Sequence, residues 1–233
     1  MGFYYFDYTY FLYIVPALII TMIAQIRVST AFRRYSRVPT RRGLTGAQAA
    51  DAVARSGGAS VVIRAVPGSL TDNFDPRGGI ISLSRDVYSS TSVAAVGVAA
   101  HEAGHSIQDA AGYAPNRIRT MLVPVTNFGS RLSFPLILIG LLLPVQYDFV
   151  VYLGIALYSL VVLFQIATLP VEINASRRAV RALDGLGILA PDELYGAKKV
   201  LTAAAMTYLA ATFASLLYLL RFLALAGGRR GNN

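Results

Sequence analysis

Phe149 to Val171 is a run of 23 residues without a charge, and three other stretches of the chain approach it. A helix rises about 1.5 Å per residue, so roughly 20 apolar residues cross the hydrocarbon of a bilayer. Tyr8 to Ile26, at 19 residues, and Val200 to Leu220 are long enough for this. Leu132 to Val145 has only 14 uncharged residues, but its helix reaches spanning length if it begins earlier and takes in Arg131. Only 14% of the chain is charged, against about 25% in an ordinary soluble domain. The expected fold class is mainly α: a polytopic α-helical membrane protein of about four spans, with a small α+β portion in the cytoplasm.

Tyr8–Ile26 has neither a basic leading segment nor a small-residue cleavage motif, so it reads as a retained anchor and not a cleaved signal. Tyr4, Tyr5, Tyr8, Tyr10 and Tyr13 crowd its start like an aromatic belt, and Arg27, Arg33, Arg34, Arg37, Arg41 and Arg42 follow it. Four spans bring both termini to one face of the membrane and loops 27–119 and 172–199 to the other. Those loops hold 17 of the 21 basic residues, which places them in the cytoplasm and the termini outside. Arg229 and Arg230 in the tail run against the bias. The expectation is one domain over 1–233 in the plasma (inner) membrane, with spans near 8–26, 125–145, 149–171 and 200–222. Cationic loops beside anionic lipid account for the net charge of +9, so no nucleic-acid partner is expected.

Residues 44–119 are the one long polar stretch. Thr45 and Gln48 have capping-box spacing ahead of an Ala-rich helix that Gly57-Gly58 would end. Ala59–Val66 and Ile80–Ser84 read as strands on either side of a turn-rich segment, Leu70–Gly79. Together they make a hairpin, or a small sheet whose edge takes an extended peptide. A further helix is expected from about Ser92 to Asp109.

That last helix carries His101-Glu102-Ala-Gly-His105, and the chain has no other histidine. Four residues apart on a helix, both imidazoles leave one face and can share a metal ion. Glu102 sits about 100° round the helix, within reach of a water at that metal without being a ligand. The chain contains no cysteine, which excludes disulfides and thiolate ligands. A catalytic Zn²⁺ takes three protein ligands, so the third must be a carboxylate. Of the three glutamates, Glu172 and Glu193 are free for this. Glu172 lies where the third span ends, on the same face of the membrane as His105. Asp72, Asp75 and Asp109 are its rivals.

Several motifs together resemble a known family. They are Leu70-Thr-Asp-Asn-Phe-Asp-Pro-Arg77, Ile81-Ser-Leu-Ser84, Val98-Ala-Ala-His-Glu-Ala-Gly-His105, Phe164-Gln-Ile-Ala-Thr-Leu-Pro-Val-Glu-Ile-Asn-Ala-Ser176 and Ala203-Ala-Ala-Met-Thr-Tyr208. Across almost its whole length the chain looks like the membrane-bound neutral zinc metallopeptidases, the YugP-like or zinc-peptidase-2 family. More distantly it is similar to HtpX-type and CAAX prenyl proteases. The resemblance implies a membrane-embedded gluzincin with zinc on His101, His105 and Glu172 and with Glu102 as catalytic base. In those distant relatives an aspartate follows the glutamate ligand where Ser176 stands here. Asn174 and Ser176 are therefore the candidates to steady a histidine, and Arg177, Tyr208 and Tyr113 are the candidates for the oxyanion.

The expected function is that of a hydrolase, a zinc-dependent endopeptidase at the cytoplasmic membrane surface. Its partners would be protein or peptide substrates and the lipid bilayer, and association with a further copy or with another membrane protein stays open. The alternative is a catalytically silent, zinc-stabilised membrane scaffold or adaptor. Glu102 counts against it, because a purely structural metal site has no use for a base.

Overall fold

The computed structural model describes residues 8–69 and 71–230. Tyr4 and Tyr5 of the aromatic cluster, Leu70 and the last three tail residues lie outside the described residues. In chain order the elements are α1 (Val15–Tyr35, after a π turn at Tyr10–Ile14), α2 (Gly46–Ser56), β1 (Val62–Val66), β2 (Asn73–Asp75), β3 (Ile80–Ser84) and α3 (Arg85–Tyr88). They continue with α4 (Val93–Ala110), α5 (Ala114–Leu142), α6 (Phe149–Gly185, after a 3-10 turn at Val145–Tyr147) and α7 (Pro191–Arg230).

Four helices, α1, α5, α6 and α7, are long and apolar enough to cross a membrane. Each extends beyond its uncharged run. α1 continues through Arg27, Arg33 and Arg34, α5 starts at Ala114, α6 runs on to Gly185, and α7 begins at Pro191. The length of an uncharged run measures what lipid tolerates. Backbone hydrogen bonding continues into polar sequence wherever Ala, Arg, Lys and Leu keep helix propensity high.

The chain forms two compact units, and α6 and α7 contribute to both. Among the described residues, one comprises 8–24, Ile118–Thr168 and 208–230. In it α5 and α6 pack backbone against backbone. A Cβ added at Gly140 would lie 2.7 Å from the Val151 nitrogen, and one at Gly154 would lie 2.8 Å from the Ile137 nitrogen, the small-residue contact common between membrane helices. Arg229 donates to the Gly140 carbonyl at 2.7 Å and to that of Leu143, and faces Asp148 at 3.4 Å. It therefore satisfies carbonyls that the end of α5 leaves unpaired. One of the two arginines that ran against the charge bias has a structural job. Large apolar side chains such as Phe134, Leu153, Leu163, Phe213 and Leu220 stay exposed on this unit, as they would on a surface that meets lipid.

The other unit comprises Gln25–Arg117 and Leu169–Thr207. Its core is built on α4. Val93, Val96, Ala99, Ala100 and Ala103 pack with Ala49, Ala50, Val53 and Ala54 of α2, and with Ala179, Leu183, Leu194 and Ala197 from α6 and α7. The capping box at α2 is present: Gln48 N donates to Thr45 Oγ1 at 3.2 Å, and Thr45 N donates to the Gln48 side chain at 2.9 Å. The sheet order is β1-β3-β2. β1 runs parallel to β3 with Val62 opposite Ile80, and β2 is antiparallel with Asn73 opposite Ser82.

The two-strand reading therefore needs correction. β2 lies inside the segment read as turns, and the first strand starts at Val62 and not Ala59. β3 is the central strand with a partner on both edges, and its Ile81 and Leu83 are fully buried. A plain hairpin of the two expected strands is excluded by their parallel pairing.

Candidate metal centre

Ser92 caps α4 by accepting a hydrogen bond from Ala95 N at 3.2 Å. Gly104, in the middle of α4, serves close packing. A Cβ on Gly104 would sit 2.4 Å from the Ala175 carbonyl oxygen, whereas one on Gly97 would meet the Ala197 methyl at an ordinary 3.4 Å. The first approach brings the histidine helix against the turn of α6 that carries Glu172.

There the donor atoms converge. His101 Nε2 lies 3.2 Å and His105 Nε2 3.5 Å from the same Glu172 oxygen. The two rings stand edge to face with centroids 4.7 Å apart, and Glu172 is 2% exposed. These three residues form the one group among the described residues that could hold a metal ion. Zinc bonds of about 2.0–2.1 Å in a tetrahedron leave neighbouring donor atoms roughly 3.3 Å apart, so the observed separations fit that ion.

The other nitrogen of each ring is also held. Ser176 Oγ lies 3.0 Å from His101 Nδ1, and Gln108 Oε1 lies 3.0 Å from His105 Nδ1. The Gln108 amide nitrogen donates to the Val171 carbonyl at 2.8 Å and to Asn174 Oδ1 at 3.0 Å. Those two acceptors fix the orientation of the Gln108 amide. Its oxygen must then accept from His105 Nδ1–H, which leaves Nε2 with a lone pair for a metal. Arg178 Nε also donates to Asn174 Oδ1, at 2.8 Å.

Glu102 is buried beside the pair. Burial pushes its carboxyl up from the ordinary carboxylate range. The two imidazoles oppose that shift, and Glu172 adds to it. For His105, burial acts downward, but the hydrogen bond to Glu172 and the charge of Glu102 outweigh it, and the net direction is up.

The rival carboxylates have other work. Asp72 accepts from Ser84 N at 2.8 Å and from Ser84 Oγ, stapling the loop before β2 to the end of β3. Asp75 accepts from Arg77 N. Glu193 accepts from Ala190 N at 2.8 Å and Arg41 N at 2.7 Å at the start of α7. Asp109 does not join the group. Among the oxyanion candidates, Tyr113 faces the Arg178 guanidinium and Arg177 is exposed on α6. Tyr208 lies farther along α7 in the other unit.

Gln108 escaped the sequence reading. Its signal was a polar side chain three residues after His105, on the same helix face. Replacing Gln108 by leucine is expected to weaken zinc binding about 10–100-fold. Competition titration against a chelating dye checks this, and unchanged affinity would remove Gln108 from the site.

The family described as "Putative neutral zinc metallopeptidase" matches residues 10–227. The chain belongs to this family. A relative in Bacillus subtilis (strain 168), described as "Putative membrane protease YugP", is 39% identical over 220 residues, which cover 94% of this chain and 97% of that protein. No solved structure matches. Zinc is thus the metal of the family, and a donor set that fits it is present here.

Proposed function

We propose that this zinc peptidase hydrolyses peptide bonds of membrane or membrane-associated proteins at the cytoplasmic membrane surface. His101, His105 and Glu172 are its zinc ligands, and Glu102 is its general base. The observation that carries the reading is the meeting of both imidazole Nε2 atoms at one Glu172 oxygen, with Glu102 buried next to them.

A bound zinc supplies a Lewis acid that polarises the scissile carbonyl and makes a water acidic near neutral pH. The protein does the rest. Glu102 takes a proton from the attacking water and returns it to the leaving amine. Its burial makes the carboxyl a readier proton acceptor than an exposed one. Gln108 and Ser176 hold the two rings through Nδ1, so neither imidazole turns away during the reaction. The outer strands β1 and β2 offer sheet edges along which an extended peptide can lie.

The whole chain acts as one membrane-embedded metallopeptidase domain of gluzincin type, with spans near 8–26, 125–145, 149–171 and 200–222 and with both termini outside. Reporters inserted after Asp86 and after Leu183 are expected in the cytoplasm, and terminal fusions outside. An external reading at Asp86 would overturn this orientation. For the chemistry, treating purified protein with 1,10-phenanthroline is expected to abolish casein cleavage, and added zinc should restore it. Cleavage that survives full removal of zinc would defeat the proposal.

A further inference from the structure

A groove of about 450 Å³ runs between the segments of α6 and α7 that belong to the second unit. Ile173, Val180, Leu201 and Ala205 give it apolar walls, and Arg177, Arg181 and Lys198 supply charge. No carboxylate lines it, and none of the three cations has an ion-pair partner among the described residues. The two characters are ordered along the helices. Ile173 and Ala205 lie next to the apolar runs of α6 and α7, and Arg181 and Lys198 lie toward the connection at 186–190. From residue 173 to residue 181 the rise is about 12 Å, enough for acyl chain to give way to headgroup.

We propose that this groove holds an anionic phospholipid, with its phosphate against Arg177, Arg181 and Lys198 and its acyl chain along Ile173, Leu201 and Ala205. Basic pockets between membrane helices favour such headgroups. The site rests on α6 and α7 entering the bilayer; it borders the metal centre through Ser176, which lines the groove and holds His101, but the lipid contacts proposed here do not involve that residue.

An acidic peptide would satisfy the charges but would give no reason for the apolar end. A second groove, of about 630 Å³ between α1 and α7, also decides against a peptide. Arg27, Arg34 and Lys199 line it, again with no carboxylate. It shares no residue with α4 or α6, so this pattern follows the membrane-proximal turns of the helices and not the zinc group.

The test uses full-length protein in phosphatidylcholine vesicles doped with a phosphatidylglycerol that carries a photoreactive acyl chain, with cross-links mapped by peptide mass spectrometry. Labelling is expected at 173–181 and 198–205. It should fall at least about tenfold when Arg177, Arg181 and Lys198 are all changed to Gln. Changing Arg55, Arg77 and Arg85 to Gln removes the same charge elsewhere and is expected to leave labelling intact. Thr202→Glu, a single change that puts an acid into the groove, should also lower it and covers the case of a poorly folded triple variant. The proposal is overturned if photoreactive phosphatidylcholine labels the groove equally. It is also overturned if inorganic phosphate at matched ionic strength blocks labelling, if a polyglutamate peptide displaces the lipid, or if the control triple loses as much as the groove triple. Zinc content and casein cleavage are not the readout, so failure here leaves the peptidase reading standing.

Discussion

Replacing Glu102 by glutamine is expected to lower casein cleavage by about 10²–10⁴-fold while zinc content stays at one ion per chain. The amide keeps the size of the carboxylate and can still hydrogen-bond to a water, but it cannot accept a proton at neutral pH. General acid–base assistance is typically worth that factor. Glu102 is not among the three converging donors, so metal affinity should not follow its loss. Removing a carboxyl that burial already disfavours as an anion should leave the melting temperature at or slightly above wild type. A zinc-stabilised scaffold predicts otherwise: no cleavage by any variant, and no difference between wild type and Glu102→Gln. Undiminished cleavage by this variant would sink the proposed base even if the zinc ligands proved right.

What could be read from the sequence was what local chemistry determines. The His101–His105 pair and the Thr45–Gln48 capping box depend on spacings of three and four residues, and both are helical in the structure. β3 was legible because it is a short apolar-rich run that directly follows the turn at Gly78-Gly79. β2 was not, because three residues in a turn-rich loop become a strand only through pairing with β3, whose register the sequence does not display. Most helix ends lie outward of the uncharged runs, because solubility in lipid does not report backbone hydrogen bonding; α5, which stops at Leu142 and short of Val145, is the exception.

The same division runs through the candidate site. A residue type at a fixed offset, such as Glu102 after His101, can be seen in one line of text. The Gln108 contacts reach from α4 to Val171 and Asn174 on α6, a relation between segments more than 60 residues apart that only the fold supplies. Gly104 was legible as a residue and illegible in purpose. What it permits is a close approach to the Ala175 carbonyl, and that approach sets the position of Glu172 against both imidazoles.

Glu172→Ala is expected to abolish zinc binding, from about one ion per chain to near none, and cleavage with it. Two imidazoles then lack the carboxylate that completes their group, and a tetrahedral site reduced to two protein ligands does not compete for zinc. Asp72→Ala is the matched control. It strips Ser84 N of its acceptor and should destabilise the fold by about 1–3 kcal/mol, yet leave zinc in place. Gly104→Ala separates the ligands without removing any. Its new methyl meets backbone oxygen at 2.4 Å, so α4 and α6 must move apart, at about 1–3 kcal/mol. The displacement falls one residue from His105 on α4 and three from Glu172 on α6. Zinc affinity in Gly104→Ala is therefore expected to fall by a larger factor than stability alone accounts for. Zinc analysis and melting curves on the three variants decide the matter. If Asp72→Ala lost its zinc while Glu172→Ala kept it, the third ligand would be Asp72, and the close approach at Gly104 would be packing without a role in the metal site.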